Sequence, residues 1–139
     1  MKIDNHLVNL KESLEEIKSA VRQGLVNKQR SLGFHTSAAC VDMFEIFLHK
    51  NGYLPEDHVI KHEWFTSMNK MKEKVPYDFE DKEELLDLIR KVEIKRNNFC
   101  YGKKKDFDEL VSLVEDFNNV KNKFAELGID FEVEAYEEK

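Results

Sequence analysis

The sequence predicts an all-α protein, a four- to five-helix bundle, up-and-down in its main part, with an acidic and extended or frayed C-terminal tail. Three observations lead there. Apolar residues recur every three or four positions over long stretches, the spacing that lines one face of a helix. Only 5 Gly and 2 Pro punctuate 139 residues, which favours long helices over many short strands. Carboxylates stand three residues ahead of glutamates where two of the periodic runs begin, a helix-start pattern. The length fits one domain with a single modest core. Residues 1–128 read as the bundle and 129–139 as an acidic tail or short strand.

The first helix follows from Ile3, Leu7, Leu10, Leu14, Ile17, Val21 and Leu25, one stripe from about residue 4 to 29. Asp4 is the expected N-cap, its carboxylate accepting from an amide of the first turn, and the stop is expected near Ser31 to Gly33. A second helix, from Thr36 to about Lys50, is apolar around most of its circumference, so it belongs inside the bundle or at a subunit interface. Asn51-Gly52 ends it. A shorter helix from about Val59 to Lys74 carries Trp64, Phe65, Met68 and Met71 as core residues and stops at Pro76. Asp81 and Glu84 start the next, which buries Leu85, Leu88, Ile89 and Val92 and carries Arg96 on its last turn. Asp106 and Glu109 start the final helix, which ends at Gly128. "IDFEVEAY", residues 129–136, then alternates apolar with polar, the period of a half-buried strand. With no clear partner strand in the chain, it reads as a frayed tail, a pairing with the loop from Lys74 to Phe79, or a strand shared with a second subunit.

Net charge is −6, which argues against a surface that coats nucleic acid broadly. The charge is unevenly spread. Residues 106–139 hold 11 acids and 3 bases, whereas Arg90 to Lys105 hold 7 bases and the single acid Glu93. Such a patch is a weak pointer to RNA on its own, because charge runs are usually solvated faces. Cys40 and Cys100 fit no metal spacing and read as reduced thiols of a cytoplasmic protein. No apolar run approaches the roughly 18 residues of a membrane span, and "MKIDNHLVNLKES" lacks the features of a secretory leader.

The most pointed constellation is "EIKRNNFCYGKKK", residues 93–105. Arg96 near a helix end complements the macrodipole, and Asn97 is a common helix-ending residue. The same Arg binds phosphate bidentately and keeps its charge, Gly102 lets a backbone come close, and Lys103, Lys104 and Lys105 add positive charge. "RNNFCYG", residues 96–102, resembles the signature of HEPN domains, small helical bundles whose motif is Arg, a polar residue, a few residues, then His, often followed by Gly. Asn97 and Gly102 match, and the helix order around the motif resembles the family too. Tyr101 occupies the place of the family His, and no His follows His62. In active members the resemblance implies a metal-independent ribonuclease site, usually built across a homodimer, in which Arg and His act together on the ribose 2′-hydroxyl. Tyrosine, with an ordinary pKa about 10 against about 6.5 for histidine, is a poor base at neutral pH, though it still contacts phosphate or stacks on a base.

Two further pairs need weighing. Arg30 and His35 in "RSLGFH" repeat the Arg-x4-His spacing without the neighbouring Asn, which reads as coincidence. His58 and His62 stand four apart near Glu56, Asp57 and Glu63, but without a firm third ligand they read as surface histidines. No metal or other cofactor is expected. The first functional expectation is therefore a HEPN-like RNA-associated protein that holds phosphate through Arg96, Asn97, Lys103, Lys104 and Lys105, with ribonuclease activity lost or altered. The second is an active toxin-type endoribonuclease, with Arg96 and Tyr101 as its catalytic pair or with His35 as the replacement base. The third is a helical interaction module, paired with a nucleotidyltransferase-type protein. The all-round apolar second helix and the resemblance both point to a homodimer.

Overall fold

The computed structural model describes residues 2–54 and 59–136, and among them it is all α-helical. Helix α1 spans Ile3–Gln23, and a single 3₁₀ turn, Leu25–Lys28, leads into α2, Gln29–Lys50. A second 3₁₀ segment, His62–Thr66, precedes α3, Met68–Lys74; then follow α4, Lys82–Glu93, α5, Arg96–Tyr101, α6, Phe107–Glu126, and α7, Phe131–Tyr136. Helix α2 is the axis of the molecule. It packs on α1, α4, α5 and α6, which bury Leu32, Met43, Phe44, Ile46 and Leu48 among them. From Thr36 to Leu48 its apolar circumference is largely covered within one chain, so that stretch no longer argues for a dimer. None of the helices among the described residues is long and apolar enough to cross a membrane. Cys40 and Cys100 are unpaired and buried, and burial pushes both thiols above their ordinary pKa, so both are poor nucleophiles.

Several boundaries differ from the expected ones for definable reasons. The first break falls at Gly24, which adopts φ +106°, a conformation that favours glycine, rather than near Gly33. Lys2 takes the N-cap position, and Asp4 sits inside the first turn, where its charge complements the helix dipole. Gly33 lies within α2 as a contact residue: a Cβ there would come 2.6 Å from Phe99 Cβ and 3.1 Å from Cys100 Sγ. The helix expected over 59–74 is divided at Ser67, which is extended and caps α3 by accepting from the Lys70 amide. Asp81 does not cap α4. It adopts φ 58°, and its carboxylate joins Glu84 and Glu126 around Lys123. Asp106 caps α6 as expected, accepting from the Glu109 amide at 2.9 Å.

Residues 131–136 are neither strand nor frayed tail. They form α7, which lies against α1 and α6. A lone strand would leave backbone groups unpaired, whereas a helix satisfies its own. Phe131 is buried edge-on against Phe124, centroids 5.2 Å apart, and Ala135 follows it one turn later against the core, while Val133 stays 59% exposed. Asp130 accepts from the Glu132 and Val133 amides at the start of the turn. The loop from Lys74 to Phe79, one expected pairing partner of the tail, is occupied elsewhere: Tyr77 stacks on Tyr53, and Phe79 covers Phe47.

Glu132 fastens α7 through Lys18 and Lys121, both at 2.7 Å. Burial would raise its pKa, but the hydrogen bonds from Lys121 and Lys18 outweigh this and hold the carboxyl below its ordinary value. A depressed folded pKa stabilises the docked state above the ordinary value of 4.5, and that contribution is lost as pH falls through the folded value. Loosening of α7 is therefore expected at acid pH, and already at neutral pH in Glu132→Gln. The Val133 and Ala135 methyl resonances report it; resonances that stay unchanged through the carboxylate range would contradict it.

Candidate functional site

Helix α4 passes into α5 through Ile94 and Lys95, both in right-handed helical conformation. Lys95 is held by Asp116 and Ser112 of α6, which fixes the approach to α5. Gly33 lets α5 lie directly on α2. Gly102 closes α5 for a steric reason, since a Cβ there would meet the Asn98 carbonyl oxygen at 2.3 Å.

This short helix separates the residues that the sequence placed together. Arg96 and Asn97 line a cavity of about 620 Å³ with His6, Asp42, Glu45, His62 and Glu93. Tyr101, 70% exposed, lies on a second cavity of about 540 Å³ with Gln29, Arg30 and Lys104. There the Arg30 guanidinium sits over the Tyr101 ring, 5.4 Å from its centroid. Lys103 is exposed, and Lys105 is half-buried beside Lys95, Asn98 and Glu109. Gln29 fixes the loop that carries these lysines, donating to the Lys103 carbonyl at 3.0 Å and accepting from the Lys105 amide at 2.7 Å. Burial raises the Cys100 pKa against the pull of Arg96 and Arg30.

The two Arg-His pairs also resolve. His35 turns toward α1, with Nδ1 3.1 Å from Ser13 Oγ, and burial lowers its pKa against the pull of Glu16 and Glu12. It does not line the Arg96 cavity. His62 does line it. Its Nδ1 lies 3.0 Å from Glu93 Oε2, and Ser37 donates to Glu93 Oε1 at 2.9 Å. An Nδ1–H donating to a buried carboxylate leaves the lone pair on Nε2, the form in which histidine accepts a proton. His58, and with it the His58–His62 pairing, lies outside the described residues.

No protein-family model matches the chain, and no curated protein and no solved structure matches it either.

The same cavity contains a buried polar group that sequence reasoning missed. His6 of α1 pairs through Nδ1 with Asp42 at 2.8 Å and through Nε2 with Glu45. Glu45 also accepts from the Ile60 amide, which ties the segment before His62 to α2. Burial opposes a charge on His6, but Asp42 and then Glu45 carry its pKa up to about 9. Asp42 is itself raised by burial, against the pull of His6. The signal was present in the sequence: Asp42, Glu45 and His49 fall at i, i+3 and i+7, one polar stripe on the apolar stretch Ala38–Leu48 and the residue after it.

Proposed function

We propose that the chain is a HEPN-like RNA-associated protein that grips single-stranded RNA at the α5 face. The observation that carries this reading is the Arg30 guanidinium over the exposed Tyr101 ring, in an open cavity beside Lys104. An aromatic face with cations around it offers a base a stacking surface and its phosphate a counter-charge, independent of sequence. Arg96 and Asn97 extend the grip around the other side of α5. Arg30→Ala and Tyr101→Ala are each expected to weaken binding of a fluorescent single-stranded RNA about tenfold or more at low salt. Arg30→Ala should also flatten the salt dependence, because one phosphate contact is lost. No RNA retention by the wild type at low salt would refute this reading and leave the interaction module, with a nucleotidyltransferase-type partner.

A second reading, the endoribonuclease, has one specific observation in its favour: His62, backed by Glu93, lines the cavity of Arg96. His62 Nε2 would take the 2′-hydroxyl proton while the 2′-oxygen attacks phosphorus. The 5′-oxygen then departs as a hydroxyl, protonated by solvent, and a cyclic 2′,3′-phosphate remains, with Arg96 balancing the charge on phosphorus. This replaces Tyr101 as the proton acceptor. Cleavage in chelator that disappears in both His62→Ala and Arg96→Ala would establish it; an RNA panel left intact by the wild type would refute it. A homodimer belongs to the same proposal, and light scattering on the eluting peak measures it.

A further inference from the structure

We infer that His6, Glu45 and His49 form a binding site for a divalent transition-metal ion of the zinc class. One donor atom from each of these residues lies within 4.8 Å of the other two. Both histidines have Nδ1 engaged: His6 faces the Asp42 carboxylate at 2.8 Å, and His49 faces the Leu54 carbonyl at 3.0 Å. That is how metal-binding histidines are oriented, with one nitrogen donating to an oxygen and the other presenting its lone pair. The atoms left over are His6 Nε2, His49 Nε2 and Glu45 Oε2. All three are buried; His6 Nε2 and Glu45 Oε2 face only each other, and His49 Nε2 has no hydrogen-bond partner. A buried polar atom without a partner costs stability, and an ion shared with the facing His6–Glu45 pair would give His49 Nε2 one.

The donor set selects the ion. Two imidazole nitrogens and one carboxylate oxygen suit zinc and its neighbours rather than magnesium or calcium, which prefer oxygen. Glu45 and His49 stand four apart on α2, so they project from one face of a rigid helix, and His6 completes the set from α1. Donors about 2 Å from a tetrahedral ion lie about 3.3 Å apart, so small rotations of the three side chains close the site. Charge points the same way. The cavity beside it carries Asp42, Glu45, Glu63 and Glu93 against Arg96, Lys61 and the His6 imidazolium, whose proton the ion would displace, and a dication offsets that excess. The competing arrangement is an imidazolium at His6 between its two carboxylates. It satisfies His6 and Glu45 but gives His49 Nε2 no role.

His49 therefore decides the matter. His49→Asn keeps a side-chain donor for the Leu54 carbonyl and deletes Nε2. Untagged wild-type protein, stripped with chelator and dialysed, should take up one zinc per chain by elemental analysis and unfold at a higher temperature with zinc than without. His49→Asn should unfold at the wild-type temperature in chelator, bind zinc at least tenfold more weakly and lose the thermal shift. Asp42→Asn should weaken binding roughly 10- to 100-fold by releasing His6, while His62→Gln should bind as the wild type does. A wild type that takes up no zinc, or a His49→Asn variant that binds it equally well, overturns the site. If His49→Asn does not fold, the cobalt(II) spectrum of the wild type decides. Intense tetrahedral d–d bands support the site, and weak six-coordinate bands overturn it.

Discussion

Phe124→Ala is expected to cost about 3–5 kcal/mol of folding stability, read as a lower midpoint in urea. Phe124 is fully buried on α6 and touches aromatic rings from two directions. Phe47 of α2 lies 5.6 Å away between centroids, and Phe131 of α7 lies 5.2 Å away, edge-on. Truncation removes the transfer free energy of the ring and leaves a cavity that three helices cannot all close. Edge-to-face packing adds about 0.5–1.5 kcal/mol beyond area alone, so Phe124→Leu should recover part of the loss but not all of it. Equal stability of Phe124→Ala and wild type would mean that α7 does not pack on α6.

Gly33→Ala should be nearly as damaging, about 1–3 kcal/mol, even though it adds one methyl group to a helix that ordinarily welcomes alanine. The new Cβ would stand 2.6 Å from Phe99 Cβ and 3.2 Å from the Cys100 backbone nitrogen. Neither atom is the loose end of a side chain, so α2 and α5 must separate. Because α5 carries both Arg96 and Tyr101, the same substitution should weaken RNA binding, whereas Phe124→Ala, on another side of α2, should leave it close to wild type once folded. Denaturation and RNA titration of the two variants distinguish a local displacement of α5 from a general loss of stability. A Gly33→Ala protein as stable as wild type would exclude the close approach of the two helices.

The long helices were legible because their cores obey one period. Leu7, Leu10, Leu14 and Ile17 are all buried on the predicted stripe. The same regularity concealed the break at Gly24. Val21 and Leu25 continue the spacing across it, yet Val21 is exposed and Leu25 is buried only after the chain has turned. Gly33 looked like a terminator because sequence does not distinguish a glycine that ends a helix from one that admits a neighbour. The alternation in residues 129–136 misled for a related reason: a helix needs only Phe131 and Ala135 of that pattern and leaves Val133 outside.

The site was half legible. Arg96 and Tyr101 are five residues apart, so a continuous helix sets them about 140° apart around its axis, and their separation into two cavities was predictable. The meeting of His62 with Glu93 depends on tertiary structure alone, since they stand 31 positions apart. Gln29 gave no signal at all. Its role exists only once the loop after α5 has folded back onto the start of α2.

The bridge from Lys18 to Glu132 joins positions 114 residues apart. Closing so long a loop adds little to its equilibrium cost, which grows only with the logarithm of length. Its effect is on the order of events. A chain made from its N-terminus displays α1 and α2 first, and the strip of α1 that α7 covers stays bare until residue 132 has emerged. During that interval the acceptor surface for α7, including Lys18 and the side of Phe124, is open to other chains. The last short helix thus acts as a latch on assembly: until it closes, an otherwise built bundle still carries an adhesive edge.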